Sequence, residues 1–196
     1  GFKKIEGVDR SHYLIQRARS TAKKEDLQIK FKEGDARKLM GYHTDDFEIV
    51  MILGNSFGYF ETKEDDLRVL KEVSRVLSPN GRILLDVTDG NYIREHFKPR
   101  SWEWIDKRHF VTRERSLSRD GERLISREII TNIEKGVTSD HFYAERLYNN
   151  ESLKEILEEA GFINSYLHSS LSPDSQRNQD LGMMKQRLVF TAEIKK

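Results

Sequence analysis

The chain has 196 residues, enough for one domain with a sizeable core. Its 34 Lys and Arg against 33 Asp and Glu leave a net charge of +1, a balance that points neither to nucleic acid nor to an anionic membrane. The absence of cysteine excludes disulfides, thiolate catalysis and cysteine-ligated zinc or iron–sulfur centres.

The first predicted element is a short strand, Ile5 to Val8, ending on an acid, Asp9. A helix follows at once, with Ser11 as N-cap and Leu14, Ile15, Ala18 and Ala22 at helical spacing. In "LQIKFKEGDA" Ile29 and Phe31 alternate with charged residues, and this second strand also runs out on an acid, Asp35. The apolar run Ile49 to Leu53, broken by Gly54, suits a strand buried on both faces of a parallel sheet. "KEDDLRVLKEVSRVLSPNG" predicts an amphipathic helix with Leu67, Leu70, Val73 and Leu77 on one face, stopped by Pro79 and Gly81. Asp65 and Asp66 near its positive end read as solvated or dipole-linked charges. "RILLDV", Arg82 to Val87, is the next buried strand, and the strand–helix alternation implies a parallel sheet with right-handed crossovers.

Past Thr88 the pattern changes to three long alternating segments between Trp102 and Tyr148, joined by turn signals at Asp120-Gly121 and Lys135-Gly136. This predicts an antiparallel meander with one face over the core and the other toward solvent or a ligand. A last helix has Asn150 as N-cap, Leu153, Ile156 and Leu157 as its apolar face and Gly161 as its stop. "FINSYLHS" and "QRLVFTAEI" complete the strands, with an exposed loop expected from Ser172 to Asp180.

The tips at Asp9, Asp35 and Gly54-Asn55 all fall at carboxyl ends of strands, the edge where ligands bind in open α/β sheets. Any one such acid is more often a cap or turn former; their succession is the signal. "GVDRS", "EGDARKL", "DFEIVMILGNSFGYF" and "LKEVSRVLSPNGRILLDV", resumed by "LYNNESLKEILEEAGF" and "RLVFTAEIK", resemble in order the later motifs of the class I S-adenosylmethionine-dependent methyltransferases. The resemblance implies a Rossmann-like, mostly parallel sheet with helices on both faces and strand order 3-2-1-4-5-7-6, the seventh strand antiparallel beside the fifth. It implies residues 1–196 as a single methyltransferase domain, with 100–149 as a substrate-side antiparallel insertion like that of small-molecule members.

It also implies roles. Asp9 would accept hydrogen bonds from the ribose diol, and Arg10 would lie on the adenine. Asp35 and the backbone of Ala36 would meet the adenine edge, and Leu53, Gly54 and Asn55 would line the methionine end of S-adenosylmethionine. On the acceptor side Tyr59, Trp102, Arg113, Arg115, Arg146 and Tyr148 could face the cleft, the arginines alternatively forming a solvated strand face. The family's first strand and glycine-rich loop have no counterpart in the sequence. They would stand before Gly1, in the middle of the sheet, so the chain reads as the later part of a longer enzyme. By itself it is expected to bind the donor poorly, and its open sheet centre would promote association of copies.

The six histidines show no ligand spacing, so no metal is expected, and no G-x-S-x-G elbow occurs. No apolar run approaches the roughly 20 residues that span a bilayer, and Gly1 to Gly7 lacks a signal-peptide core, so a cytoplasmic location and no membrane partner are expected. Basic residues are interleaved with acids, which argues against nucleic acid as substrate. The expected activity is methyl transfer to a small-molecule N, O or C nucleophile. Its rivals are a methyltransferase-like binding domain without catalysis and an NAD(P)-dependent dehydrogenase, whose ribose and 2′-phosphate Asp9 and Arg10 would suit.

Overall fold

The computed structural model describes residues 4–168 and 186–195. The loop expected from Ser172 to Asp180 lies outside the described residues.

β1 (Glu6–Asp9) runs into α1 (His12–Lys24), whose N-cap Ser11 accepts a hydrogen bond from the Leu14 amide at 3.2 Å. α1 buries Ile15 and Ala22 while Leu14 stays exposed. It leads back to β2 (Lys30–Glu33), parallel to β1 with Asp9 opposite Glu33. β3 (Phe47–Ile52), α2 (Lys63–Val76) and β4 (Leu77–Thr88) form the next crossover, and β3 pairs parallel with β4. After the meander, α4 (Asn150–Glu159), β9 (Phe162–His168) and β10 (Arg187–Ile194) complete the sheet in the order β3-β4-β10-β9. β10 lies antiparallel beside β4, as expected for the last strand of this topology.

One core holds this unit together. Leu70 and Val73 from α2 and Leu153, Ile156 and Leu157 from α4 pack on Ile83, Leu85 and Phe190 of the sheet, all buried. The expectation that β3 is buried on both faces fails. Val50 and Ile52 pack against the core, while the alternate residues Ile49 and Met51 are 41% and 54% exposed. The reason is topological: β1–β2 forms a separate two-stranded sheet, and among the described residues no strand joins it to β3. An apolar run reports what a strand is suited to, not what lies across from it.

The meander has four strands, β5 (Arg100–Trp104), β6 (His109–Leu117), β7 (Arg123–Asn132) and β8 (Gly136–Arg146), all antiparallel neighbours. The first predicted segment is split by a turn in which the Asp106 carboxylate accepts the amides of Arg108 and His109 at 2.7 and 2.9 Å. The glycine turns stand where expected, Gly121 and Gly136 having φ of 71° and 77°. Unexpected is α3 (Gly90–His96), capped by Asp89, a helix too short to leave a period in the sequence. The N-cap of α4 is Asn149 rather than Asn150; its side chain and that of Ser152 exchange hydrogen bonds with each other's backbone, a capping box.

Candidate functional site

β1 and β2 are parallel neighbours, so their carboxyl ends deliver Asp9 and Asp35 to the same edge. The Gly34 amide, between Glu33 and Asp35, donates to the Asp9 carbonyl at 3.0 Å. Asp9 is exposed, and its Oδ1 accepts the Ser11 amide at 2.7 Å, which fixes the carboxylate at the strand-to-helix turn. Asp35 is gripped by Arg37, whose Nε and Nη2 donate to it at 3.1 and 2.6 Å. That clamp holds the Asp35 carboxyl down at about 2. Arg37 also reaches Asp65 at 3.1 Å, and its guanidinium lies 4.3 Å from the centre of the Phe60 ring. Arg10 sits over the same ring at 5.8 Å, and Ala36 packs against the main core.

The third tip follows β3. Leu53 is half exposed, and Gly54 has φ of 70° with open space where a Cβ would stand. The Gly54 amide donates to Asp86 Oδ2 at 3.2 Å, and Asp86 in turn pairs with Arg187. Asn55 is buried with φ of 59°, a left-handed conformation that asparagine tolerates better than most residues. Its side chain supports that turn: Oδ1 accepts the Thr88 amide at 2.8 Å, and Nδ2 donates to Glu145 Oε2 at 2.7 Å. A single asparagine thereby ties the end of β4 and the meander to the β3 tip.

Glu145 is the residue that sequence reasoning missed. It is 1% exposed, and burial pushes its carboxyl up to about 7, against the lowering effects of the Asn55 hydrogen bond and the Arg115 charge. Strand register puts Leu124 opposite Glu145, Ser126 opposite Tyr143 and Ser126 opposite Arg115, so these side chains share one face of the meander. The Tyr59 ring lies 6.2 Å from that of Tyr143, centre to centre, and Asn55 Nδ2 approaches the Tyr59 hydroxyl at 3.3 Å. Burial and the Glu145 charge raise the Tyr59 hydroxyl above its ordinary range, and burial does the same for Tyr143. An acid in phase with Leu124 across the sheet was the available signal, but it becomes visible only once the strands are paired.

Of the other acceptor-side residues, Arg115 shares the Glu145 face and donates to the Lys98 carbonyl and Ser101 hydroxyl, both at 3.2 Å. Trp102, 66% exposed and paired with Thr112, occupies the opposite face. Arg113 is tied up between Glu103 and Glu128 at 2.6 and 2.7 Å. Arg146 and Tyr148 converge elsewhere, on Asp66, at 3.0 and 2.9 Å. This corrects the reading of Asp66 as a solvated charge. It is fully buried on the inner side of α2, and burial raises its carboxyl despite both partners. Among the described residues no cluster of three or more His, Asp or Glu could hold a metal. No helix there is long and apolar enough to cross a membrane.

Known proteins resemble this chain in sequence and in fold. Residues 1–81 match the family model described as "Methyltransferase domain". The chain is 32% identical over 93 residues to "Putative methyltransferase YqeM" of Bacillus subtilis (strain 168), a match covering 47% of this chain and 37% of that protein. In structure it resembles an S-adenosylmethionine-dependent methyltransferase from Clostridium acetobutylicum ATCC 824, with a TM-score of 0.76 and 16% identity over 100% of this chain and 76% of the other. It also resembles the sugar N-methyltransferase KedS8 from Streptoalloteichus sp ATCC 53650, with a TM-score of 0.62 and 17% identity over 97% and 71% of the two chains.

Proposed function

We propose that this chain, which has the fold of the S-adenosylmethionine-dependent methyltransferases, takes part in methyl transfer to a nitrogen, oxygen or carbon of a small molecule. The observation that carries the reading is the pair of carboxylates, Asp9 and Asp35, presented by adjacent parallel tips, with an open turn at Gly54 after β3. The donor set suits the nucleoside half of the donor: an exposed carboxylate can accept both hydroxyls of a ribose. Asp35 would share its remaining acceptor capacity between Arg37 and the adenine amine, with Arg10 and Arg37 held beside it on Phe60. Gly54 leaves room at the methionine end, and Asn55 fixes the turn around it.

When bound, S-adenosylmethionine supplies a methyl group already activated by its sulfonium. The protein's part is therefore to align donor and acceptor and to exclude water, an effect of several kcal/mol. Tyr59 and the Glu145 face of the meander close the acceptor side, since Asn55 joins them to the β3 tip through its amide.

The test is calorimetric titration of the gene product, expressed from its own start codon, with S-adenosylhomocysteine. Binding is expected, and Asp9→Ala should weaken it by about ten- to a hundred-fold, the value of hydrogen bonds to a charged group. Failure to bind, or equal affinity for both proteins, overturns the reading.

A further inference from the structure

We propose that Glu145, Tyr59 and Tyr143 form the seat of an organic ammonium, so that the acceptor is a small primary or secondary amine bound as its cation. This rests on the methyl-transfer reading for its purpose but on separate atoms for its evidence. Glu145 Oε2 is occupied by Asn55 at 2.7 Å and the Tyr59 hydroxyl interacts with the carboxyl, whereas Oε1 is buried and makes no hydrogen bond of normal length. A buried carboxylate oxygen without a donor is costly, and it is most simply relieved by a ligand that brings one. Tyr59 is 42% exposed and its hydroxyl interacts with this group, its ring tilted 47° from that of Tyr143. Two aromatic rings beside one carboxylate attract an ammonium through both the ring quadrupoles and the ion pair. A carboxylate or phosphate at the same point would be repelled by Glu145. The position is also the right one, because Asn55 holds Glu145 and directly follows Gly54 at the β3 tip.

The same carboxylate deals with the proton. An ammonium nitrogen has no lone pair, so one N–H proton passes to Glu145 Oε1. The ammonium becomes a neutral amine, and the carboxylate becomes a carboxylic acid. A group titrating near neutrality is suited to that exchange. The charged and titratable groups around it are Tyr59 from the β3–α2 loop, Arg115 from β6 and Tyr143 from β8.

The probe is methylammonium, added to protein carrying carbon-13 in its glutamate carboxyl groups, with the Glu145 resonance assigned by its loss in Glu145→Gln. Methylammonium should lower the titration midpoint of that resonance by about one pH unit, while methanol should leave it unmoved. Tyr59→Leu, altered at a half-exposed ring, should weaken the response several-fold and serves if Glu145→Gln does not fold. A Glu145 resonance indifferent to methylammonium in protein that still binds S-adenosylhomocysteine overturns the ammonium seat alone. A normal methylammonium response without S-adenosylhomocysteine binding overturns the methyl-transfer reading and leaves the seat standing.

Discussion

Glu145 shows how much one buried side chain can impose on a protein. Its carboxyl titrates near 7 in the fold against an ordinary value of 4.5, so the folded state holds the proton more tightly than the unfolded chain. Stability therefore declines as pH rises from about 4.5 to about 7 and is level above that window. Asp66 is raised in the same direction and adds to the slope. Glu145→Gln keeps an acceptor for Asn55 and removes the titration. Melting temperature measured across this range should fall less steeply in the variant; an unchanged slope would mean that Glu145 titrates normally. Asp35 works in the opposite sense. Held at about 2 by Arg37, it contributes stability above the ordinary carboxylate value that is lost as pH falls toward 2. The two acids differ because burial outweighs the Arg115 charge at one, whereas the other is clamped by a guanidinium.

Among the elements, α3 positions the meander on the α/β unit. Gly90 begins it, and a Cβ there would stand 2.7 Å from the carbonyl carbon and oxygen of Leu147 and from the Tyr148 oxygen. The Gly90 amide donates to that same Tyr148 oxygen at 2.8 Å, so the approach is close because the backbones are bonded. Backbone cannot yield as a flexible side chain can. Gly90→Ala is expected to cost about 1–3 kcal/mol in urea unfolding, the usual range for overpacking; a cost near zero would show that α3 can shift without loss. This helix was not legible in the sequence, since seven residues leave no hydrophobic period. The longer elements were more legible: α4 buries Leu153, Ile156 and Leu157 as its spacing predicts, and the meander strands turn at the two glycine signals. α2 buries Leu70 and Val73 of its predicted face, while Leu67 is half-buried and Leu77 belongs to β4.

At the scale of the whole molecule, the meander is bound to the α/β unit by polar contacts as much as by packing. Arg123 donates to the Phe60 and Glu61 carbonyls, Arg94 to the Gly121 and Leu147 carbonyls, and Arg146 meets the fully buried Asp66. Arg146→Ala removes the cation and leaves a buried acid with only Tyr148. A loss of about 3 kcal/mol is expected by chemical denaturation. A loss below half that would mean that Asp66 is neutral in the fold and held mainly by Tyr148. The sequence by itself determined the succession of the longer strands and helices, the carboxyl-terminal strand tips at which Asp9, Asp35 and Gly54 emerge, and the antiparallel character of residues 100–149. Each follows from the alternation or spacing of apolar residues within a segment, because burial on one side of a strand or helix is a local constraint. Only the tertiary structure decided that Glu145 meets Asn55, that Asp66 meets Arg146 and Tyr148, and that one face of β3 is open. Those partners lie 80 to 90 residues apart in the chain, and a periodicity shows which side of an element is covered without showing what covers it.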